Sequence, residues 1–221
     1  MKIIARIHSD FPSKFGIPRQ SGLADNEATI IFEPQYRQEE ALRGIEQYSH
    51  LWLIWEFSEV KDKGWSPTVR PPRLGGNKRV GVFATRSPFR PNPIGLSSVR
   101  LLSKEKTPQG TVLRVSGADL MDGTPIYDIK PYIPYADCHA DASGGFAQKQ
   151  KEYALNVDCK EDLLHILPES KRDAFLQILS QDPRPQYIED PERIYGFPYA
   201  DFEVKFMVKD NTLTVTEICK N

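Results

Sequence analysis

The sequence predicts a mainly β protein with a smaller α+β region at its C-terminal end. Most of its apolar runs are short, rich in β-branched or aromatic residues, and separated by turns that contain Pro and Gly. Hydrophobic residues make up 39% of the 221 residues and charged residues 27%, a composition typical of a globular chain.

Short strands are predicted along the first two thirds of the chain. The continuous apolar run Leu51 to Trp55, with two tryptophans, indicates a buried strand. A short helix is predicted over residues 37–45, because Ala41, Leu42 and Ile45 recur at helical spacing. The other predicted strands cover residues 3–7, 28–32, 80–84, 94–102, 111–115 and 126–129.

The composition changes near residues 141–145, which predicts a domain boundary close to residue 147. The predicted domains are residues 1–146 and residues 147–221. In the second domain, strict alternation of apolar residues on both sides of Asp210-Asn211 indicates a hairpin. The predicted elements there are helices over 160–167 and 169–179 and strands over 201–208 and 212–218.

Composition and charge limit the cellular setting that we expect. The three cysteines have no CxxC spacing, which suits a reducing compartment without disulfides. No apolar run approaches the roughly 18 residues of a membrane span, and the first residues do not resemble a signal peptide. A cytoplasmic protein is therefore expected.

One long stretch, from Lys63 to Lys104, contains no Asp or Glu but carries nine Lys and Arg residues. Positive charge without counter-charge, on a backbone rich in Pro and Gly, favours phosphate binding. The predominance of Arg favours forked contacts to phosphate or carboxylate. The alternative is that these cations pair with acids from other segments.

Several common catalytic motifs are absent from the sequence. There is no GxGxxG, GK[ST], HExxH or GxSxG, so neither a Rossmann cofactor fold nor a nucleotide triphosphatase is supported. Cys138 and His139 are adjacent and so point to opposite faces of a strand, which makes a shared metal site improbable. No metal is expected.

Five segments of the first two thirds of the chain resemble the TsaA-like family, and within it the bacterial TrmO-type tRNA (adenine-N6)-methyltransferases. A sixth, DPRPQY at residues 182–187, resembles the signature of that family's C-terminal extension. The five are KFGIPRQ at 14–20, GIEQYSHLW at 44–52, RPPRLGGN at 70–77, VGVFATRSPFRPNPIGLS at 80–97 and DGTPIYDIKPY at 122–132.

The resemblance implies a small β-barrel of the non-Rossmann kind that binds S-adenosylmethionine and acts as a homodimer. Its substrate would be N6-threonylcarbamoyladenosine, next to the anticodon of a threonine tRNA. Ser58 stands where close relatives often have His, so this contact departs from the family pattern. By motif position, the cofactor would contact Pro18, Arg19, Gln20, Ser58, Glu59, Arg86, Leu96, Asp122, Gly123, Thr124 and Pro125.

Local chemistry suggests which residues act on the tRNA. The acceptor nitrogen carries a carbonyl group, so it needs a base within hydrogen-bond reach to remove its proton. Our candidate is Asp128, with Lys130 and Tyr132 as orienting residues; the alternative for Asp128 is a turn-capping role. The residues expected to contact the anticodon loop are Arg70, Arg73, Arg90 and Asn92.

Two other functions remain open from the sequence. A non-catalytic RNA-binding barrel would use the same basic stretch but need no cofactor. A hydrolase or lyase built on Asp122, Asp128 and His50 is disfavoured, because no nucleophile constellation accompanies them.

Overall fold

The N-terminal part of the molecule is a barrel closed by six antiparallel strands. The computed structural model describes residues 1–71, 78–150, 153–184 and 190–221. Strand β1 pairs with both β2 and β8, which closes the hydrogen-bonded ring β1–β2–β7–β6–β3–β8. The strands up to this point are β1 (Ala5–His8), β2 (Glu27–Phe32), β3 (His50–Glu56), β4 (Thr68–Val69), β5 (Val80–Gly81), β6 (Ile94–Thr107), β7 (Gly110–Ser116) and β8 (Pro125–Pro131).

Alternation along the strands fills the barrel with apolar side chains. Leu51, Leu53 and Trp55 of β3 are buried inside, whereas the intervening Ile54 lies on the outer face. Strands β4 and β5 form a separate two-stranded ribbon. The predicted mainly β fold is confirmed, and we find no helix long and apolar enough to cross a membrane in the ranges that the structure describes.

The described residues of the C-terminal region, 153–184 and 190–221, form a second hydrophobic core between a sheet and a helix. Its sheet has the order β10–β11–β12–β9, with β9 parallel to β12. Asp210 and Asn211 have positive φ angles of 47° and 63°, which gives the predicted hairpin its tight turn. The remaining elements of the chain are α1 (Pro134–Asp137), β9 (Asn156–Asp158), α2 (Glu161–Leu164), α3 (Glu169–Ser180), β10 (Tyr195–Tyr199), β11 (Phe202–Lys209) and β12 (Thr212–Lys220).

Two local predictions are wrong. Residues 37–45 form no α-helix but short 3₁₀ turns, because Gly44 adopts a left-handed conformation with φ of 84° that interrupts the helical pattern. The predicted strand over residues 80–84 ends at Gly81 and continues as the 3₁₀ turn Val82–Ala84.

Candidate cofactor cleft

A cleft of about 480 Å³ opens at one end of the barrel. Four segments meet there: the β1–β2 loop (residues 9–26), the end of β3, the turn before β6 and the turn before β8. The cleft is lined by Lys14, Ile17, Pro18, Arg19, Gln20, Trp55, Glu56, Phe57, Ser58, Glu59, Val60, Thr85, Arg86, Pro88, Arg90, Ile94, Gly95, Leu96, Asp119, Met121 and Thr124.

A hydrogen-bond relay connects the barrel interior to the cleft. The indole Nε1 of Trp55 donates to Ser97 Oγ at 3.0 Å, and this hydroxyl donates to Asp119 Oδ1 at 2.5 Å. Burial raises the pKa of Asp119, although the Ser97 hydrogen bond and the nearby Arg86 act in the opposite direction. Asp119 is thus a cleft carboxylate that is only partly compensated by its surroundings.

Close packing beneath the cleft depends on a glycine. A Cβ atom at Gly95 would overlap the indole of Trp55, so the ring packs directly against the backbone of β6. Trp55 and Phe57 also pack together, with their ring centroids 4.3 Å apart. These two rings give the cleft an apolar, aromatic floor.

Two guanidinium groups, those of Arg86 and Arg19, also line the cleft. Arg86 Nη1 donates to the side-chain oxygen of Gln20, which ties the turn before β6 to the β1–β2 loop. Arg19 Nη2 donates to the backbone carbonyl oxygens of Asp182 at 3.0 Å and Arg184 at 3.4 Å. The cleft therefore presents both signs of charge.

The structure places most of the cofactor residues predicted from the motifs in this cleft. Three members of the DGTP motif do not line it. The Asp122 carboxylate accepts a hydrogen bond from Ser9 N at 3.1 Å and lies 3.3 Å from His8 Nδ1, so it ties the motif to the start of the β1–β2 loop. The predicted residues in the lining are Pro18, Arg19, Gln20, Ser58, Glu59, Arg86, Leu96 and Thr124, and those outside it are Asp122, Gly123 and Pro125.

The residues predicted for catalysis lie outside the cleft, on β8 (Asp128, Lys130) or directly after it (Tyr132). Asp128 Oδ2 is 3.1 Å from Lys130 Nζ on the outer face of the barrel. Asp128 is paired with Ile54, and Ile54 with Leu96 of the cleft. Because adjacent strands lie about 4.8 Å apart, Asp128 is about 10 Å from Leu96 across the sheet. Directly after β8, the Tyr132 ring packs near Trp52, at 5.4 Å between centroids.

Most of the described cations of the acid-free stretch form no ion pair with a carboxylate. Among the described members of the stretch, only Lys104 forms an ion pair, at 3.0 Å to Glu46. Arg90 lines the cleft, but its Nη1 donates to the carbonyl oxygens of Val82 at 3.2 Å and Thr85 at 2.7 Å, so it also braces its own loop.

Of the other residues predicted to contact tRNA, Arg70 and Asn92 are exposed, and Arg73 lies outside the described residues.

Sequence reasoning missed several cleft residues, above all Asp119. Its only sequence signal is an acid between the apolar residues Ala118 and Leu120, three positions before the DGTP motif. A surface turn shows the same pattern, so the sequence alone does not distinguish them. Trp55 and Phe57 were also not recognised as cleft residues, because an aromatic residue in or beside an apolar strand usually belongs to the core.

Family models match nearly the whole chain. The model of the tRNA-methyltransferase O N-terminal domain matches residues 6–138, and the model of the TrmO C-terminal domain matches residues 150–221. The chain belongs to the tRNA-methyltransferase O family. The resemblance seen in the sequence motifs is thereby confirmed.

Relatives of this TrmO-family chain cover its length. The tRNA (adenine(37)-N6)-methyltransferase of Escherichia coli is 43% identical over 218 residues, which is 94% of this chain and 92% of that protein. A putative S-adenosylmethionine-dependent methyltransferase of Pseudomonas aeruginosa is 43% identical over 91% of this chain and 89% of its own length. A crystal structure of TrmO from the same organism superposes with a TM-score of 0.77 at 38% identity, covering 98% of this chain and 97% of that one.

Family membership confirms the predicted enzyme class, an S-adenosylmethionine-dependent tRNA methyltransferase. In the portion of the chain that the structure describes, no three His, Cys, Asp or Glu side chains are grouped so as to hold a metal ion.

Proposed function

We propose that this TrmO-family chain transfers a methyl group from S-adenosylmethionine to N6 of threonylcarbamoyladenosine, adjacent to the anticodon of threonine tRNA. The observation that carries the proposal is the cleft at the barrel end, where guanidinium groups, carboxylates and an aromatic floor meet in one space. The proposal includes a homodimer in the cytoplasm, as the family resemblance implies.

The chemistry of the cleft fits this cofactor, which has a carboxylate, a sulfonium cation and an adenosine. Arg19 and Arg86 offer partners for a carboxylate, and Asp119 and Glu59 offer partners for a cation or for ribose hydroxyls. The Trp55 indole and its neighbouring ring offer an apolar surface for a base. A volume of about 480 Å³ is within the usual range for ligands of this size.

Positioning is the main contribution of the cleft residues to the reaction. When bound, S-adenosylmethionine supplies an electrophilic methyl group, and the transfer is an in-line displacement. The protein must therefore hold donor and acceptor in line more than it must assist covalently. The Trp55–Ser97–Asp119 relay and the Arg86–Gln20 contact fix the cleft side chains before any ligand arrives.

The outer face of the barrel is the proposed acceptor side. Leu96, Ile54 and Asp128 form one row across three strands, beginning at the cleft and ending at the proposed base. Lys130 holds the Asp128 carboxylate from one side, and the carboxylate also accepts a hydrogen bond from the backbone of Ile129 at 2.9 Å. A target adenine over this row would have the cleft on one side and Asp128 on the other.

Phosphate contacts come from the basic stretch in this proposal. Arg70 and Asn92 are exposed, Asn92 in the turn before β6, and Arg90 lines the cleft itself. The absence of ion pairs for most described cations of the stretch supports this role, because such charges remain available for a polyanion. Arg73 belongs to the proposed set by its place in the motif.

Nucleoside mass spectrometry tests the proposed reaction. Threonine tRNA from a strain that lacks the gene is incubated with purified protein and S-adenosylmethionine. We expect one added methyl group on the threonylcarbamoyl nucleoside, and none on the same tRNA prepared without the threonylcarbamoyl group. Methylation of the unmodified adenine would overturn the assigned substrate, and failure to bind S-adenosylmethionine in calorimetry would overturn the whole proposal.

An Asp128→Asn variant tests the proposed base. Asparagine preserves the shape of the side chain but accepts no proton, so we expect the single-turnover rate to fall about 100-fold or more. Affinities for cofactor and tRNA should stay within about twofold of wild type, since no binding contact is removed. Glu33→Gln is the control, because Glu33 is another ion-paired carboxylate of the barrel, 3.2 Å from Arg6. A normal single-turnover rate in Asp128→Asn would refute the role.

A further inference from the structure

The β1–β2 loop has two differently occupied faces. One face carries the polar side chains of Lys14, Arg19 and Gln20 into the cleft. The opposite face carries aromatic and apolar residues that pack into the hydrophobic core of the C-terminal region, not into the barrel. The loop therefore forms one wall of the cleft and packs against the C-terminal region.

Apolar contacts fasten this second face. Phe11 is fully buried, with its ring centroid 6.1 Å from that of Tyr199. Phe15 meets Phe197 edge to face at 6.0 Å. Gly16, with φ of 88°, lies so close to the Phe197 ring that a Cβ atom there would overlap it. The backbone just before Pro18 thus rests directly on β10.

Polar contacts fasten both ends of the same loop. At its start, Lys171 Nζ of α3 lies 2.7 Å and 2.5 Å from the two carboxylate oxygens of Asp10. At its end, Asp25 N donates to Gln177 Oε1 at 2.6 Å, and Gln177 Nε2 donates to Asp25 Oδ2 at 2.9 Å. One helix therefore grips the loop on both sides of the cleft residues.

The turn after α3 reaches the cleft guanidinium itself. The carbonyl oxygens of Asp182 and Arg184 accept hydrogen bonds from Arg19 Nη2. The turn is rigid because the Asp182 carboxylate accepts from Arg184 Nε at 2.8 Å, from Arg184 Nη2 at 2.9 Å and from the Tyr153 hydroxyl at 2.9 Å. Asp182 is only 2% exposed.

We infer that the C-terminal region sets the cofactor affinity of the barrel by holding the β1–β2 loop in place, with Asp182 and Lys171 as positioning residues. The Asp182 turn directs the Arg19 guanidinium, and the Lys171 ion pair fixes the start of the loop. The inference rests on the proposed function only in taking S-adenosylmethionine as the ligand of the cleft. It differs from a role of this region in gripping tRNA, which none of these contacts requires.

The experiment compares three full-length variants with wild type. Asp182→Asn weakens the Arg184 contact, Lys171→Gln removes the ion pair to Asp10, and Lys205→Gln removes an exposed ion pair to Glu217 as the control. Calorimetry measures S-adenosylmethionine binding, filter binding measures tRNA binding, and hydrogen exchange follows residues 13–21. We expect the cofactor Kd to rise about tenfold in Asp182→Asn and about threefold in Lys171→Gln, with faster exchange of the loop.

Binding of tRNA should change less than about twofold in all three variants, and Lys205→Gln should match wild type throughout. An unchanged cofactor Kd in the folded variants, or a loss of tRNA affinity in its place, would overturn the inference. If Asp182→Asn loses cooperative thermal unfolding, Lys171→Gln, at a side chain that is 30% exposed, decides the question alone. Wild-type protein that binds no S-adenosylmethionine would instead overturn the proposed function.

Discussion

Two aspartates withdrawn from solvent, one at the barrel end and one in the C-terminal region, have opposite electrostatic settings. Burial would raise the pKa of Asp182, but hydrogen bonds from Arg184 and Tyr153 outweigh it and lower that pKa. Burial dominates at Asp119 and raises its pKa, because Ser97 is neutral and Arg86 acts only at a distance. One charge is balanced within the protein, and the other is not.

This contrast distinguishes a carboxylate that stabilises a turn of the protein from one that is available to a ligand. A buried carboxylate held by its own arginine stabilises the local turn, and removing it leaves the arginine uncompensated. A carboxylate without a full partner costs stability in the free protein, so its retention beside a cleft indicates a ligand that supplies the missing charge or hydrogen bonds. The sulfonium group and ribose of the proposed cofactor are of that kind.

The largest expected change in stability is at Asp182, the aspartate whose charge is balanced within the protein. Asp182→Asn should lower the free energy of unfolding at pH 7 by about 3 kcal/mol, because it removes the charge that balances the largely buried Arg184. A lowered folded pKa contributes stability above the unfolded value near 3.9, and that stability is lost as the pH falls through the folded pKa. Urea denaturation should therefore show the two proteins converging below about pH 4. A constant difference down to acid pH would contradict an ionic origin.

A smaller change in stability is expected at Gly95, whose packing against Trp55 supports the hydrogen bonds that lead to Asp119. Gly95→Ala should destabilise the protein by about 2 kcal/mol, because the added Cβ displaces the Trp55 indole from its hydrogen bond to Ser97. Cofactor affinity should fall as well, since the Asp119 relay loses its first member. The control is Gly81→Ala, where nothing lies within 4 Å of the added atom and φ is −59°. Equal denaturation midpoints for the two variants would show that the relay tolerates overpacking.

The sequence predicted strands well where apolar residues alternate or run together. The hairpin of β11 and β12 and the buried strand β3 lie where expected, because burial on one or both faces leaves a local signal. The helix predicted over 37–45 does not form, because the left-handed backbone of Gly44 interrupts it. One of the apolar residues on which the prediction was based, Ala41, is exposed. Local period does not reveal which residues the fold will bury.

The candidate site was predictable only through its motifs. Pro18 is more than 60 residues from Arg86 and Leu96 in the chain, yet all three lie in one cleft. Asp119 was not predictable, because its character comes from Ser97 and Arg86, more than 20 residues away. The docking of the β1–β2 loop on the C-terminal region was equally hidden, since Phe11 looks the same in sequence whichever core it enters.

The smallest expected change in stability belongs to Asp119 itself, and its sign is the sharpest test of the comparison. A folded pKa raised above the unfolded value means that the ionised carboxylate costs stability at neutral pH, a cost that fades as the pH falls through the folded pKa. Asp119→Asn, whose amide oxygen still accepts from Ser97, should unfold at pH 7 with the same or a higher free energy than wild type, by no more than about 1 kcal/mol.

Cofactor binding by Asp119→Asn should change in the opposite direction. We expect the S-adenosylmethionine Kd to rise about tenfold, equivalent to about 1.4 kcal/mol, because the amide no longer compensates a cation or accepts two ribose hydrogen bonds. Glu46→Gln, which changes an exposed carboxylate paired with Lys104, should leave the cofactor Kd unaltered. Loss of stability with intact binding would show that Asp119 serves the fold and not the ligand. Gain of stability with weaker binding is the combination that only a ligand-directed charge produces.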